Sequence, residues 1–506
     1  MPARDRAQVG AAVGPALVDR ARRRSGARRI AALGVVVSLA PSCAVFDREA
    51  PPPFGEALVV VDTDLPVPRV VSRLRVDVLS ADGALIDSRD DILPDARDWP
   101  ASFSVFVDEA AREREVLVRL RAYPDARVLG GAARDPDPRL TVDRVVRLRL
   151  VYGVRGRVVV RLSGACVGVP ARVSGEDSAS CVGEGATELV VAEAVQLDPE
   201  LGRDVPSLVG SFDLAPCVSP PREGAVCVPG GAFILGDAFY RPRDPSSGRA
   251  AQPRPERVVS LSRFEMDRDE VTVARLRAAV ARGFTPPIAV GVTEVDGPVG
   301  DDPNNACTFS AQPRGREDAP LSCVTWTTAR ALCRFDGGDL PTEAQWEYAA
   351  LAAARTAKAT YPWGEATPTC ERAVYARGAF SRGCVAAGVG PAPAAASDGD
   401  VSSAGVRAMA GSLTELLRDN LAPYDDPCWT SAPARDPGCE LPRPPGCPDP
   451  ETIDCRSLPA FNVSVRGGSW IDRDDSLRPV ARERSVHITT NRTNPTLGFR
   501  CVYPAD

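Results

Sequence analysis

The most informative segment of this 506-residue chain is residues 340–349, which read Leu-Pro-Thr-Glu-Ala-Gln-Trp-Glu-Tyr-Ala. Residues 343–355 are predicted to form a helix, because Thr342 is a favourable N-cap and a glutamate follows it in the first turn. Trp346 gives this helix a large side chain to bury in a core. Residues 327–335 form a second predicted helix, and extended pieces alternate with the helices without a regular strand-helix-strand order. An α+β domain is therefore expected.

Several short motifs flank this segment in a fixed order. They are Val-Pro-Gly-Gly-Ala-Phe-Ile-Leu-Gly at 228–236, Glu-Val-Thr at 270–272, Val-Thr-Trp at 324–326 with Ala329 and Cys333, Tyr-Pro-Trp-Gly at 361–364, Arg-Gly-Gly-Ser-Trp at 466–470 and Gly-Phe-Arg-Cys at 498–501. Each motif alone is weak evidence, but the ordered set is specific. Residues 227–506 resemble the formylglycine-generating enzymes, or sulfatase-modifying factors. The resemblance implies a C-type-lectin-like fold with little regular structure and a disulfide between Cys333 and Cys501.

The resemblance also implies where the chemistry of the family belongs. Its enzymes bind Cu(I) through two cysteines that follow the Gly-Gly-Ser-aromatic motif, and they oxidise a substrate cysteine to formylglycine. In this chain those two positions hold Asp472 and Leu477. Because Cu(I) prefers soft thiolates, a carboxylate and a leucine cannot replace the pair, and copper is not expected. Ser469 keeps the family's groove serine, and Thr414 stands where the family has a tryptophan, so Ser469, Asp472 and Thr414 are the groove candidates.

Two other metals are considered from the same resemblance. The family's structural calcium site maps onto backbone oxygens of Gly411 and Leu413 and the side chain of Glu415, while Ala408 replaces an asparagine ligand. Calcium tolerates water in place of one ligand, so the resemblance implies a structural Ca²⁺ at this site. An iron-dependent branch of the superfamily needs several histidines, and His487 is the single histidine of the chain. A multi-histidine iron or zinc site is therefore excluded.

The 15 cysteines are scattered without a Cys-x-x-Cys pair, which favours disulfides in an exported protein over a zinc ribbon. Cys166 and Cys181 are close enough in sequence to join one loop or hairpin. Cys217 and Cys227 bracket a proline-rich linker at 215–226, and we expect them to pair. The four cysteines of a Cys/Pro-rich insertion at 427–455 allow three pairings, which the sequence leaves open; they are Cys428, Cys439, Cys447 and Cys455.

The N-terminus resembles a bacterial lipoprotein signal. An arginine-rich stretch precedes the apolar residues 30–40, which are too few to span a bilayer. Leu-Ala-Pro-Ser-Cys then ends at Cys43, the expected lipidation site, so residues 1–43 are interpreted as a signal segment and 44–56 as a proline-rich spacer. The predicted location is extracytoplasmic, anchored in a bacterial envelope. Cleaved secretion and an uncleaved anchor are the alternatives.

Residues 57–214 are predicted to form an all-β, sandwich-like domain. Apolar and charged residues alternate over 74–78 and again over 116–122 and 146–152, which is the period of half-buried strands. Asp82-Gly83 adds a hairpin signal after the first of these strands. No catalytic constellation occurs here, so a binding or spacer role is expected.

Two functions remain open from the sequence. The formal net charge of −6 argues against a nucleic-acid partner. The favoured hypothesis is a non-catalytic, exported domain that binds a glycan, a peptide or a protein. The alternative is an enzyme with altered, copper-independent chemistry in the same groove, using Ser469, Asp472 and Glu415. That alternative requires Ser469 and Asp472 to face one open cleft. The acidic cluster at 472–475 could also hold a hard cation.

Overall fold

The computed structural model describes most of the chain outside its N-terminus. The described residues are 11–12, 54–108, 110–125, 135–183, 189–198, 205–241, 252–297, 299–300, 302, 305–378, 382–393, 396, 398–430, 435–442, 459–482, 484–489 and 493–505. Cys43, and with it the lipidation prediction, lies outside them, as do Cys447 and Cys455.

The first half of the structure is a β-rich unit, as the alternating sequence pattern predicts. Its strands are β1 (Ala11–Ala12), β2 (Phe54–Thr63), β3 (Arg73–Ser80), β4 (Leu85–Ile92), β5 (Ala101–Asp108), β6 (Glu113–Tyr123), β7 (Val142–Val151), β8 (Arg155–Leu162), β9 (Ala179–Ser180), β10 (Val190–Val191) and β11 (Ala194–Val195). One sheet has the order β1-β5-β2-β8, a second has the order β11-β7-β6-β3-β4, and β9 pairs with β10. Apolar side chains from both larger sheets meet in one core, so the strands form two packed layers.

The second half of the structure contains short elements joined by long irregular segments. These elements are β12 (Ala225–Val228), β13 (Gly231–Leu235), β14 (Arg257–Leu261), β15 (Phe264–Asp267), α1 (Val273–Ala281), α2 (Trp326–Phe335), α3 (Glu343–Leu351), β16 (Thr414–Asn420), α4 (Pro427–Thr430), β17 (Asn462–Arg466), β18 (Ser485–His487), β19 (Leu497–Gly498) and β20 (Val502–Pro504). The sheets have the orders β12-β15-β20, β13-β14 and β18-β17-β16-β19. The α+β prediction with little regular structure is confirmed.

Helix α3 is shorter than the sequence predicts. It ends at Leu351, whereas the pattern predicts a helix that continues to Arg355. The backbone leaves the helix at Ala352, and Ala354 adopts a left-handed conformation with φ of 53°. The run of alanines favours a helix but does not specify its end, and the left-handed conformation of Ala354 prevents the helix from resuming after Ala352.

The two halves are packed directly against each other. Ala232, Ile234 and Val258 of the β13–β14 hairpin belong to the same apolar core as the β-rich unit. Arg69 of that unit donates hydrogen bonds of 2.9 Å to the carbonyl oxygens of Ala352 and Arg355, just after α3. The proline-rich linker therefore connects two units that share a buried interface.

Six disulfides occur among the described residues: Cys166–Cys181, Cys217–Cys227, Cys307–Cys323, Cys333–Cys501, Cys370–Cys384 and Cys428–Cys439. The first, second and fourth join cysteines that were expected to pair. Cys428–Cys439 selects one of the three pairings left open for the insertion. Within the described residues, no helix is long and apolar enough to cross a membrane.

Candidate functional site

Helix α3 lies at the centre of the second domain and contains most of the 340–349 segment. Thr342 accepts a hydrogen bond from the Gln345 backbone, and the Gln345 side chain accepts one from the Thr342 backbone, which is a capping box. Eight of the nine residues of the helix are buried. Glu343 and Glu347 are one turn apart and both fully buried, so each needs a partner within the protein.

Arginines and the one lysine of the chain supply those partners. The Glu343 carboxylate accepts hydrogen bonds of 2.7 Å from both Arg466 and Arg482, and the Glu347 carboxylate accepts from Arg466 at 2.9 Å and from Lys358 at 2.7 Å. Burial alone would raise the pKa of Glu343, but the charges of Arg482 and Arg466 outweigh it and lower the pKa to about 2. This ionic network fixes α3 to β17, the strand that leads into the groove loop.

The groove loop follows β17 as Gly467, Gly468, Ser469 and Trp470. Gly467 has a left-handed φ of 74°, and a Cβ on Gly468 would lie 2.6 Å from a methyl group of Leu477. Both glycines are therefore required for the loop to pack this closely. Trp470 is fully buried and donates its indole hydrogen to the Pro495 carbonyl oxygen at 3.1 Å. The loop is consequently held rigidly against the core.

Ser469 and Asp472 meet in this loop, but they do not face an open cleft. Ser469 is 0% exposed and Asp472 is 7% exposed. The backbone N–H and the hydroxyl of Ser469 donate to Asp472 Oδ2 at 2.8 Å and 2.7 Å. Arg484 forms an ion pair with the same carboxylate and donates from Nη1 to Oδ2 at 3.1 Å. The lone pairs of Asp472 are thus engaged within the protein.

The remaining groove candidates are also buried. Thr414 is 1% exposed and donates its hydroxyl hydrogen to the Gly467 carbonyl oxygen at 3.3 Å. Leu477, at the second thiolate position of the family, is fully buried in an apolar cluster with Tyr375 and Ala410. The cavity between Thr414, Gly467, Asp472 and Arg484 measures about 20 Å³. That volume holds about one water molecule and leaves no room for a substrate side chain.

The residues at the expected calcium site do not fit a calcium ion. Glu415 accepts from Arg500 at 2.6 Å and 2.7 Å, one bond to each carboxylate oxygen, and from the Trp346 indole at 2.9 Å. The charge of Arg500 therefore already balances the carboxylate that would hold calcium beside Gly411 and Leu413. Among the described residues, no group of three or more His, Cys, Asp or Glu side chains is placed to hold a metal. We derive no role for calcium.

The acidic cluster at 472–475 does not converge on a cation either. Asp472 points inward to Ser469 and Arg484, whereas Asp474 and Asp475 lie exposed in a short 3₁₀ turn. His487 is half-buried in β18, where its Nδ1 lies 3.1 Å from the Thr489 hydroxyl. The geometry around the groove is therefore that of a packed loop.

Comparison with known families agrees with the motif order. Residues 213–505 match the family model of the sulfatase-modifying factor enzyme 1-like domain. The chain belongs to this family. The family prediction made from residues 228–236 through 498–501 is thereby confirmed, and the closed groove lies within the sulfatase-modifying factor domain.

Similar proteins include two kinds of enzyme. Formylglycine-generating enzyme of Streptomyces coelicolor is 29% identical over 340 residues, which cover 60% of this chain and 96% of that enzyme. Hercynine oxygenase of Mycolicibacterium smegmatis is 29% identical over 304 residues, which cover 55% of this chain and 62% of the oxygenase. The structure of PvdO from Pseudomonas aeruginosa aligns with 55% of this chain and 93% of PvdO, with 19% identity and a TM-score of 0.38. These relatives are named for different reactions, so family membership alone assigns no activity to this domain.

Three basic residues of the sulfatase-modifying factor domain make buried contacts that the sequence did not indicate. Lys358 bonds the Ile234 and Gly236 carbonyl oxygens as well as Glu347. Arg482 and Arg500 are fully buried cations. A lone lysine in an arginine-rich chain was a usable signal for Lys358, because an arginine there would be a bulkier, planar group with different donor geometry.

Asp400 gives the sulfatase-modifying factor domain a testable pH dependence. Burial raises its pKa to about 7, and its Oδ1 has no hydrogen-bond partner among the described residues. Between about pH 4 and pH 7 the folded state therefore holds a proton that the unfolded state has lost, so the free energy of unfolding falls as pH rises. Asp400 should lower the free energy of unfolding by roughly 4 kcal/mol between pH 4 and pH 7. We expect this loss to be absent in Asp400→Asn.

Denaturant unfolding at several pH values checks this expectation. The wild type and Asp400→Asn should differ little near pH 4 and diverge progressively toward pH 7, with the variant more stable. If the free energies of unfolding of the two proteins changed in parallel over this pH range, Asp400 would not titrate as described. Asp398→Asn, a change at an exposed neighbour, is the matched control and should leave the pH dependence of the wild type unchanged.

Proposed function

We propose that this protein is an extracytoplasmic binding protein whose sulfatase-modifying factor domain performs no copper-dependent oxidation. The observation that carries the proposal is Asp472, which replaces the first thiolate of the family and is engaged by Ser469 and Arg484 in a groove of about 20 Å³. Catalysis of the family reaction needs a pair of thiolates and a space for the substrate cysteine. Neither requirement is met by the residues in this loop.

The alternative, an altered chemistry in the same groove, has less support. A nucleophilic serine needs access to substrate and a base that accepts its proton. Ser469 is fully buried, and the carboxylate beside it, Asp472, is already in an ion pair with Arg484. Glu415, the third residue of that hypothesis, is bound to Arg500 and Trp346. All three side chains therefore act in packing.

The proposed extracytoplasmic location, which is an oxidising environment, has independent support. Six disulfides hold the described residues, and such bonds persist outside the reducing cytoplasm. We further propose that Cys43 is lipidated and tethers the chain to a bacterial envelope. Replacing Cys43 by serine should move the protein from the membrane fraction to the soluble extracytoplasmic fraction, and unchanged membrane association would contradict the lipid anchor.

The binding role is tested on the full chain. Screening against immobilised glycans and peptides should give saturable binding to at least one class. In parallel, incubation with Cu(I), oxygen and a cysteine-containing sulfatase peptide should give no aldehyde, with the Streptomyces coelicolor enzyme as the positive control. Copper-dependent aldehyde formation on the peptide would overturn the proposal.

A further inference from the structure

A second and much larger cavity lies elsewhere in the sulfatase-modifying factor domain. It measures about 530 Å³ and is open on one side, between the end of α2, the start of α3 and β20. Its polar lining includes Arg263, Asp339, Gln345, Arg418 and Asp436. None of its lining residues belongs to the closed groove. Its size is in the range of pockets that bind small ligands.

The acidic groups of this cavity already have partners. Asp339 pairs with Arg330 at 2.8 Å. Asp436 accepts from the backbone N–H and the hydroxyl of Ser262 at 2.8 Å and 2.7 Å. Each carboxylate therefore has its charge compensated or its oxygens hydrogen-bonded within the protein.

The two arginines of the cavity differ from each other. Arg418 lies 3.0 Å from the carboxylate of Glu440, an acceptor that it shares with Arg330. The Arg263 side chain makes no ion pair or hydrogen bond with any described residue, and its Nε is buried without an acceptor. A partly buried guanidinium without an acceptor is costly, and an anion that enters the cavity would relieve that cost. Arg263 therefore favours an anionic group in this cavity.

Gln345 supplies a second donor that is fixed in place. Its side-chain oxygen accepts a hydrogen bond of 3.0 Å from the Thr342 backbone in the capping box of α3. Its amide nitrogen has no hydrogen-bond partner among the described residues. Because the oxygen is held by the cap, the amide hydrogens have a fixed orientation at the cavity wall.

We propose that this cavity binds the carboxylate group of an acidic saccharide, with Arg263 as its counter-charge and Gln345 as an additional donor. The proposal rests on the proposed binding function and names its ligand class. Each carboxylate oxygen of Asp436 accepts one bond from Ser262 and can accept another, which suits the hydroxyl groups of a sugar. Val502 and Tyr503 are almost fully buried behind the lining, and the exposed ring of Pro504 provides an apolar surface for the face of the sugar.

The test is a titration of the full chain with uronic acid oligosaccharides, in which binding is measured by calorimetry or by ligand-observed NMR. Neutral oligosaccharides of the same length form one control arm, and peptides with a free or an amidated C-terminus form another. We expect saturable binding of the uronic acid oligosaccharides and no binding of either set of controls. Binding of neutral sugars with equal affinity, or of free-carboxylate peptides in place of uronates, would overturn the assignment.

Two variants separate this site from general electrostatics. Arg263→Gln should weaken uronate binding about 10- to 100-fold, the usual effect of losing a hydrogen bond to a charged group. Gln345→Glu keeps the capping acceptor of α3 but puts a negative charge at the cavity wall, so it should weaken binding at least as much with the melting temperature unchanged. Arg268→Gln removes the same charge from an exposed position outside the cavity and should bind as the wild type does.

The outcomes distinguish the two proposals. If a ligand is found whose affinity is unchanged in both Arg263→Gln and Gln345→Glu, this cavity is not its site, and the binding function itself still holds. If the chain oxidises a cysteine peptide with copper, the proposed function fails whatever the cavity binds. If Arg268→Gln lost as much uronate affinity as Arg263→Gln, the effect would come from net charge alone. That result would overturn the assignment of the site.

Discussion

Glu343→Ala is expected to lower the free energy of unfolding by about 3–5 kcal/mol, because it leaves two buried guanidinium groups with too few acceptors. Arg482 loses both of its bonds to the Glu343 carboxylate, and Arg466 retains only Glu347 and neutral oxygens. Urea or guanidinium unfolding of the purified variant measures the loss. Glu371→Ala, at an exposed glutamate, should change stability by less than about 0.5 kcal/mol.

The same network has a defined pH signature. The pKa of Glu343 is lowered to about 2 from its ordinary value of 4.5 by the charges of Arg482 and Arg466, which outweigh burial. Its contribution to stability is therefore complete above about pH 4.5 and is lost as pH falls through about 2. Glu343→Gln should therefore flatten the acid limb of the stability curve. A loss below about 1 kcal/mol in Glu343→Ala, together with an unchanged acid limb in Glu343→Gln, would contradict the network as described.

Removal of the Cys333–Cys501 disulfide is expected to have a comparable effect. This bond closes a loop of 168 residues, and loop-closure entropy alone predicts a stabilisation of about 5 kcal/mol. The double variant Cys333→Ala/Cys501→Ala should be correspondingly less stable. Cys370→Ala/Cys384→Ala opens a loop of only 14 residues and should cost about 3 kcal/mol.

The pairing itself can be tested chemically. In the single variant Cys333→Ala, Cys501 should become accessible to a thiol reagent under denaturing conditions without reductant. Protection of Cys501 in that variant would show that it pairs elsewhere. Equal costs for the long-loop and short-loop double variants would contradict the entropic explanation but not the pairing.

The sequence predicted the elements that depend on local chemistry. The capped start of α3 followed from Thr342, and the Cys166–Cys181 and Cys217–Cys227 pairs followed from short separations. The end of α3 was wrong by four residues, because alanines permit a helix without terminating it. Local signals place an element more securely than they place its end.

Partner choice between distant residues could not be predicted in the same way. Nothing in the sequence says that Arg500, and not a metal, faces Glu415, or that Arg484 would neutralise Asp472. These contacts join residues 85 and 12 positions apart. They decide whether a motif of the family is a ligand set or part of a packed core. The Asp472 and Leu477 substitutions were visible in the sequence, whereas the closure of the groove by Arg484 required the structure.

Copper affinity tests the central claim most directly. The full chain, carrying Cys43→Ser, Cys447→Ser and Cys455→Ser to remove the three cysteines outside the described residues, is titrated with Cu(I) in competition with a chelator. We predict that no copper stays with the protein, whereas the further changes Asp472→Cys and Leu477→Cys restore one bound Cu(I). Retention of one Cu(I) per chain without those two added cysteines would contradict the account.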